Sequence, residues 1–358
     1  MGSVSPLIAV HQQLVTSYLP RRQAGELQVT GYDPLWLGTK TGIEREIVEK
    51  KGIKFQAISA GKLRRYFDLR NIIDIFKIKL GFWQALSIIK KFKPDIILTA
   101  GSFVAVPVVI AGWVLRVPSI VHQQDVRPGL ANKIMAKFAK KVTVALDISL
   151  KDFPKNKVVM VGNPIRDTRY ELRDKNKFKF QNELPTLLVI GGGTGALALN
   201  NLIWQSLDEL TRFCNIIHIT GKNKNQIIEL SDYQIIKERY KQVEFLNEDI
   251  FSTMAQADLV ITRAGMSALT ELAYFKKPCL IVPIPNSHQE ENAAYFAAQG
   301  AGVYLKQNEL DKTKLVAEIQ KLLTEENARK EMGEKINKIF CDYSGEKIIK
   351  EIEEIIKK

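Results

Sequence analysis

A chain of 358 residues that is 46% hydrophobic can bury two cores of ordinary size. Its three cysteines, Cys214, Cys279 and Cys341, form no C-x-x-C pair, which fits a reducing compartment and no structural zinc. The formal charge of +13 calls for a solvated basic surface or an anionic partner: a phospholipid face, nucleic acid or a phosphorylated substrate.

The opening residues Gly2-Ser3-Val4-Ser5-Pro6 read as a turn and a helix start. Ser5 can cap, Pro6 suits the first helical position, and Leu7, Val10 and Leu14 share a face. They carry no basic n-region or apolar h-region of a signal peptide, and Pro6 stands where myristoylation needs Ser or Thr. A doubly wound sheet should have a strand before this turn. The expectation is that the first strand is missing and that the native reading frame extends upstream of Met1 by roughly ten to fifteen residues.

Apolar runs at 35–37, 55–58, 96–98, 119–121, 142–144 and 158–161 then alternate with helical segments, the rhythm of an α/β domain. Residues 96–115 carry no charge and are long enough to span a bilayer. Thr99-Ala100-Gly101-Ser102 and Pro107 break that span, so it reads as strand, turn and buried helix. Gly162-Asn163-Pro164 and a charged stretch from 166 to 183 form the expected linker. A second α/β series follows at 187–190, 216–219, 243–245, 259–262, 279–282 and 303–305. Ile348, Ile349, Ile352, Ile355 and Ile356 share one face of a last helix that must pack on something. The expected domains are 1–162, with 341–358 packing back on it, and 163–340.

Several strand ends carry chemistry. Residues 189–196 are a strand, the glycine turn Gly191-Gly192-Gly193-Thr194-Gly195 and a helix start. Such a turn lets backbone approach a phosphate. It is not a Walker A loop, and no acidic residue follows at the spacing of a nicotinamide site. Arg263-Ala264-Gly265 ends another strand and opens a helix carrying Glu271. The helix end suits a diphosphate, Arg263 could reach a phosphate, and Glu271 could accept from ribose hydroxyls. His288-Gln289-x-x-Asn292 opens a third helix. Together these suggest a nucleotide-sugar pocket at the carboxyl ends of one sheet. In the first domain, His122-Gln123-Gln124-Asp125 follows a buried strand, and His122 with Asp125 could do general-base work. The four histidines do not cluster, so no metal is expected.

Residues 72–92 hold too many apolar side chains for one core stripe: Ile75, Phe76, Leu80, Phe82 and Trp83 are interleaved with Lys77, Lys79, Lys90 and Lys91. That composition suits an anionic bilayer interface. No known nucleic-acid motif is present, so nucleic acid is not an expected partner.

Taken in order, Gly-Ser-Val-Ser-Pro, Leu37-Gly38-Thr39 with Gly42-Ile43-Glu44, Lys93-Pro94-Asp95, Gly101-Ser102-Phe103, His122-Gln123-Gln124-Asp125, Gly162-Asn163-Pro164-Ile165-Arg166, the 191–196 turn, Arg263-Ala264-Gly265 and His288-Gln289-x-x-Asn292 resemble glycosyltransferase family 28. The resemblance is to its N-acetylglucosaminyltransferases, which convert lipid I to lipid II in peptidoglycan synthesis, and it covers essentially the whole chain. It implies a GT-B fold of two Rossmann-like domains, UDP-N-acetylglucosamine held mainly by the second, and lipid I in the cleft against a membrane-docked first domain. It further implies that Met266, Ser267, Ala268, Leu269, Thr270 and Glu271 hold diphosphate and ribose. Gln289 would meet the sugar, Leu246 the uracil, Arg166 the hinge and Gly193 the phosphates, with Asp125 and Gly2 facing the donor sugar.

Departures from the family pattern are specific. Met1 stands for a glycine, Ser3 for the histidine often proposed as base, His122-Gln123-Gln124-Asp125 for His-Glu-Gln-Asn, and Gly193-Thr194 for Ser-Gln. The expected reaction is an inverting transfer without metal or cofactor, with Asp125 or His122 as base. Its place would be the cytoplasmic face of the bacterial membrane, among other wall-synthesis proteins, in the context of cell shape and division. The alternatives are a diacylglycerol-type lipid glycosyltransferase, a UDP-N-acetylglucosamine epimerase and a non-catalytic scaffold of the wall-building complex.

Overall fold

The computed structural model describes residues 4–18, 32–42, 44–61, 70–166, 178–192, 196–224, 234–246 and 249–357. The chain divides into two compact units, Met1–Asp167 with Cys341–Lys358, and Thr168–Phe340.

The first unit contains α1 (Ser5–Tyr18), β1 (Leu35–Gly38), α2 (Glu44–Lys50), β2 (Lys54–Ala57), α3 (Arg70–Phe92), β3 (Ile97–Thr99), α4 (Ala105–Val114), β4 (Ser119–Gln123), α5 (Leu130–Phe138), β5 (Lys141–Val144) and β6 (Val158–Met160). β3-β4-β5-β6 form a parallel sheet, while β1 and β2 pair in parallel as a separate ribbon. No described strand joins ribbon to sheet. β4 is buried along its whole length, the mark of a parallel strand covered on both faces. β2, expected as a buried run, is largely exposed. The uncharged span 96–115 is strand, loop and helix, and no described helix is long and apolar enough to cross a membrane.

The unit's boundary lies past Gly162, and Asn163 and Ile165 are tied down to its C-terminal segment. Asn163 N–H donates to Asp342 O (3.0 Å) and Ile165 N–H to Tyr343 O (2.9 Å). Gly162 sits at φ +79°, and a Cβ there would lie 2.2 Å from the Asp342 carbonyl oxygen, so only glycine fits this crossing.

The second unit contains β7 (Thr186–Ile190), α6 (Leu197–Gln205), α7 (Leu207–Leu210), β8 (Asn215–Ile219), α8 (Gln234–Arg239), β9 (Tyr240–Val243), α9 (Ile250–Gln256), β10 (Leu259–Thr262), α10 (Met266–Tyr274), β11 (Cys279–Ile281), α11 (Gln289–Ala298), β12 (Val303–Tyr304), α12 (Lys312–Thr324) and α13 (Glu326–Asn337). Its parallel sheet has the order β12-β11-β10-β7-β8-β9. From β7 the chain winds outward one way, and from β10 it winds the other. The two strands lie side by side, Leu259 opposite Leu187 through Thr262 opposite Ile190. This is the topological switch point, where open α/β sheets bind ligands beyond their carboxyl ends.

The last helix, α14 (Glu346–Ile356), belongs to the first unit. Its Ile348, Ile349 and Ile352 pack with Val10 and Leu14 of α1, Ile120 and Val161. Ile355 packs partly buried on the same cluster, while Ile356 is 49% exposed, so most of the apolar stripe is covered within its own unit.

Candidate functional site

At the switch point, α10 begins without a side-chain cap. Gly265 is extended (φ −76°, ψ 128°), and a Cβ built on it would meet nothing within 4 Å. The first helical N–H groups have no intrahelical partner, and together with the helix dipole they favour an anion. The faces of this helix decide what the run 266–271 can offer. Met266, Leu269 and Thr270 are buried, and the Thr270 hydroxyl donates back to Met266 O (2.7 Å). Gly265, Ser267, Ala268 and Glu271 form the half-exposed face. Ser267, Ala268 and Glu271 can present side chains, while Met266, Leu269 and Thr270 have only backbone to give. Gly193 lies outside the described residues. Its neighbour Gly192 has φ +85° with open space above it.

Arg263 does not present a phosphate ligand. Only 7% exposed, it donates from Nη1 to Val282 O (2.9 Å) and Pro283 O (3.1 Å), and from Nη2 to Gln307 Oε1 (2.7 Å). Burial lowers its pKa, and the acceptors it meets are all neutral. Buried Asn292 donates to Ala264 O (3.0 Å), fixing the turn that leads into α10. Gln289 accepts at Oε1 from Ile284 N–H (3.2 Å), so its amide N–H groups are what it can offer a sugar. Leu246 is buried, whereas the adjacent Phe245 is 48% exposed. Leu246 thus has mainly backbone to offer there, and Phe245 is the side chain with an exposed face near the end of β9.

In the first unit, His122 is a core histidine. It is 3% exposed, with Nδ1 3.0 Å from Thr143 Oγ1 and Nε2 3.0 Å from Asn163 Oδ1. Burial pushes its pKa down to about 4 against the Asn163 hydrogen bond. With both ring nitrogens engaged, the assignment of His122 as base is corrected to a structural role. Asp125 is half-buried on a loop that other side chains clamp. Gln123 Nε2 donates to Asp125 O (2.7 Å) and Arg127 O (3.2 Å), Asn132 holds Gln123 Oε1 (2.6 Å), and Ser149 Oγ donates to Val126 O (3.0 Å). Arg166 is half-buried at the end of the tied-down 163–166 segment. Gly2 lies outside the described residues, as does the side chain of Ile75. Among the described residues, no group of His, Cys, Asp or Glu is arranged to hold a metal ion.

On α3 the apolar residues separate into two stripes. Phe76 (65% exposed), Leu80 (53%) and Trp83 (65%) face outward at helical spacing. Phe82 is corrected: it packs inward with Ile58, Ala85, Ile89 and Val108, and only its edge meets Trp83 (5.5 Å). Lys79 lies 6.0 Å from the Phe76 ring. α4 packs on α3 and adds exposed Trp113 and Val114, with Trp113 edge-on to Phe138 (5.3 Å). The sequence reading missed these two because they close an uncharged helix that looked wholly buried.

Two family models match the chain: the glycosyltransferase family 28 N-terminal domain over residues 2–144 and the C-terminal domain over 186–350. The chain belongs to glycosyltransferase family 28 and is a transferase. It is 40% identical over 312 residues, 84% of this chain and 86% of the relative, to a Clostridium botulinum UDP-N-acetylglucosamine--N-acetylmuramyl-(pentapeptide) pyrophosphoryl-undecaprenol N-acetylglucosamine transferase. A protein of the same name from Clostridium tetani is 41% identical over 295 residues, 80% of this chain and 81% of the relative. The crystal structure of Acinetobacter baumannii MurG aligns over 99% of this chain and 96% of its own, with TM-score 0.74 and 25% identity. The fold is GT-B, of the MurG type.

Proposed function

We propose that this enzyme transfers N-acetylglucosamine from UDP-N-acetylglucosamine to lipid I, giving lipid II for peptidoglycan. The observation that carries this reading is the uncapped start of α10 at the switch point, with Ser267, Ala268 and Glu271 on its one open face. The names of relatives 40% identical over 312 residues support the same substrates.

In the reaction, the muramyl 4-hydroxyl oxygen bonds to the anomeric carbon, and the bond from that carbon to the diphosphate oxygen breaks with inversion. UDP carries away the electron pair. The N–H groups and dipole at the start of α10 stabilise the diphosphate charge, so the chemistry proposed needs no metal or other cofactor. Glu271 accepts from ribose, Gln289 donates to the sugar, and Phe245 offers an aromatic face to uracil. Asp125 takes the hydroxyl proton, its loop held by Gln123 and Ser149.

Lipid I is anchored in a bilayer, and the α3 stripe with Trp113 supplies a peripheral docking surface. Exposed aromatics ringed by lysines bind the interface of an anionic leaflet, here the cytoplasmic face of the cell membrane. The test is transfer of label from UDP-N-acetylglucosamine to lipid I with diacylglycerol as competitor. Labelled lipid II is expected. Label on diacylglycerol alone would assign a different acceptor.

A further inference from the structure

Arg263 closes a circuit of contacts at the ends of three neighbouring strands. It follows β10 and holds the carbonyls of Val282 and Pro283 just beyond β11, while its other arm reaches Gln307 beyond β12. The residue after Pro283, Ile284, donates its N–H to Gln289 Oε1 (3.2 Å). Ser287 Oγ donates to Ile284 O (2.7 Å) and accepts from Gln289 N–H (3.2 Å). The return path runs along α11 to Asn292, which donates to Ala264 O (3.0 Å), next to Arg263.

In loop 283–288 Pro283 is buried while Ile284 is 46% exposed, so the side chain of Ile284 does not seat the loop. A backbone N–H can only donate, so the Gln289 atom facing Ile284 must be the carbonyl oxygen. A ligand read by Gln289 therefore has to supply oxygen acceptors, such as sugar hydroxyls or an acetamide carbonyl.

We propose that Arg263 is a positioning residue for sugar recognition: by clasping Pro283 and Gln307 it fixes loop 283–288 and sets the Gln289 amide with its N–H donors toward the donor sugar. This rests on reading the second unit as the UDP-N-acetylglucosamine site. A planar guanidinium can hold two carbonyls and an amide at once, whereas an ammonium keeps the charge but not the fork. Arg263→Lys thus separates geometry from charge.

The experiment is calorimetric titration of the full chain with UDP and with UDP-N-acetylglucosamine. For Arg263→Lys, the Kd for UDP is expected to stay within about twofold of wild type, and that for UDP-N-acetylglucosamine to rise about tenfold, as for a charge-preserving loss of one oriented amide contact. Gln289→Leu should show the same pattern, and the double variant should lose nothing further, since both changes remove one coupled contact. Should Arg263→Lys fail to fold, Gln307→Leu cuts the outer arm alone and should weaken UDP-N-acetylglucosamine selectively. Equal weakening of both ligands would give the guanidinium to the diphosphate and overturn the proposal. No weakening, or additive losses in the double variant, would overturn it as well. Failure of the underlying reading looks different: Glu271→Ala would then leave UDP affinity unchanged.

Discussion

The carboxyl ends of β4 and of β10 are built from the same kinds of residue and arranged for opposite purposes. After β10, the buried polar groups, Arg263 and Asn292, are spent on the backbone, and the helix start they frame is left open. After β4, buried Gln123 and Ser149 are likewise spent on the backbone, with Asn132 holding the Gln123 side chain, but what they frame is one carboxylate, Asp125. Under the proposed function, the first arrangement would offer N–H donors to an anion and the second would offer a base. The lesson is that a charged or titratable group at a strand end is not thereby a ligand. Arg263 and His122 both belong to the frame, each buried and hydrogen-bonded to neighbouring protein groups.

The largest effect is expected at the base. Asp125→Asn should lower kcat by roughly 10²- to 10⁴-fold, the range for a lost general base, with UDP affinity unchanged. Retained turnover would make the β4 end mere scaffold. At the β10 end, Glu271→Ala should weaken UDP and the donor by about 1.5–3 kcal/mol, the scale of a charge-assisted hydrogen bond; titration checks it, and intact UDP binding would reduce Glu271 to a surface residue. For the α3 stripe, Trp83→Ser should cost about tenfold in partitioning to anionic vesicles, on the order of 1.4 kcal/mol of lost apolar burial, whereas Phe82→Leu should leave partitioning nearly unchanged. Equal losses would mean that the two stripes are not distinct. Neutralising Lys77, Lys79, Lys90 and Lys91 should weaken binding further and flatten its salt dependence.

The smallest effect concerns the two buried histidines, one in each unit. His218 is held between Tyr240 OH (3.0 Å) and Asn200 Oδ1 (3.1 Å), and burial pushes its pKa down to about 3, as His122's falls to about 4. Both are neutral when folded, and in the unfolded chain each takes a proton near its ordinary value of 6.5. Between pH 6.5 and those folded values the unfolded state binds more protons, so stability is full above pH 6.5 and falls with acidification. The slope is at most about 1.4 kcal/mol per pH unit for each histidine. Thermal unfolding of His218→Gln should show a shallower acid slope than wild type. An unchanged slope would mean that His218 titrates normally.

The sequence carried the two α/β series, the start of α10 after Gly265 and the terminal apolar stripe, because each rests on local periodicity or local turn chemistry. What it could not carry depends on distant partners. His122 is satisfied by Thr143 and Asn163, residues brought to it only by the pairing of β4 with β5 and by the crossing segment. Arg263 meets carbonyls at the end of β11, invisible until β10 and β11 are set in register. The faces of α3 were legible in principle: positions 76, 80 and 83 share one stripe and 82, 85 and 89 another. Taking 72–92 as one apolar mass hid that division.

The central claim is that the uncapped start of α10 receives the donor's diphosphate. Amide hydrogen exchange with and without UDP tests it most directly, because the N–H groups of the first helical turn lie outside the intrahelical ladder and would hydrogen-bond a bound diphosphate. The account predicts that UDP slows exchange at 266–268 and around 191–192, and that Glu271→Ala diminishes the effect. Protection confined to the start of α4, with α10 unchanged, would contradict it.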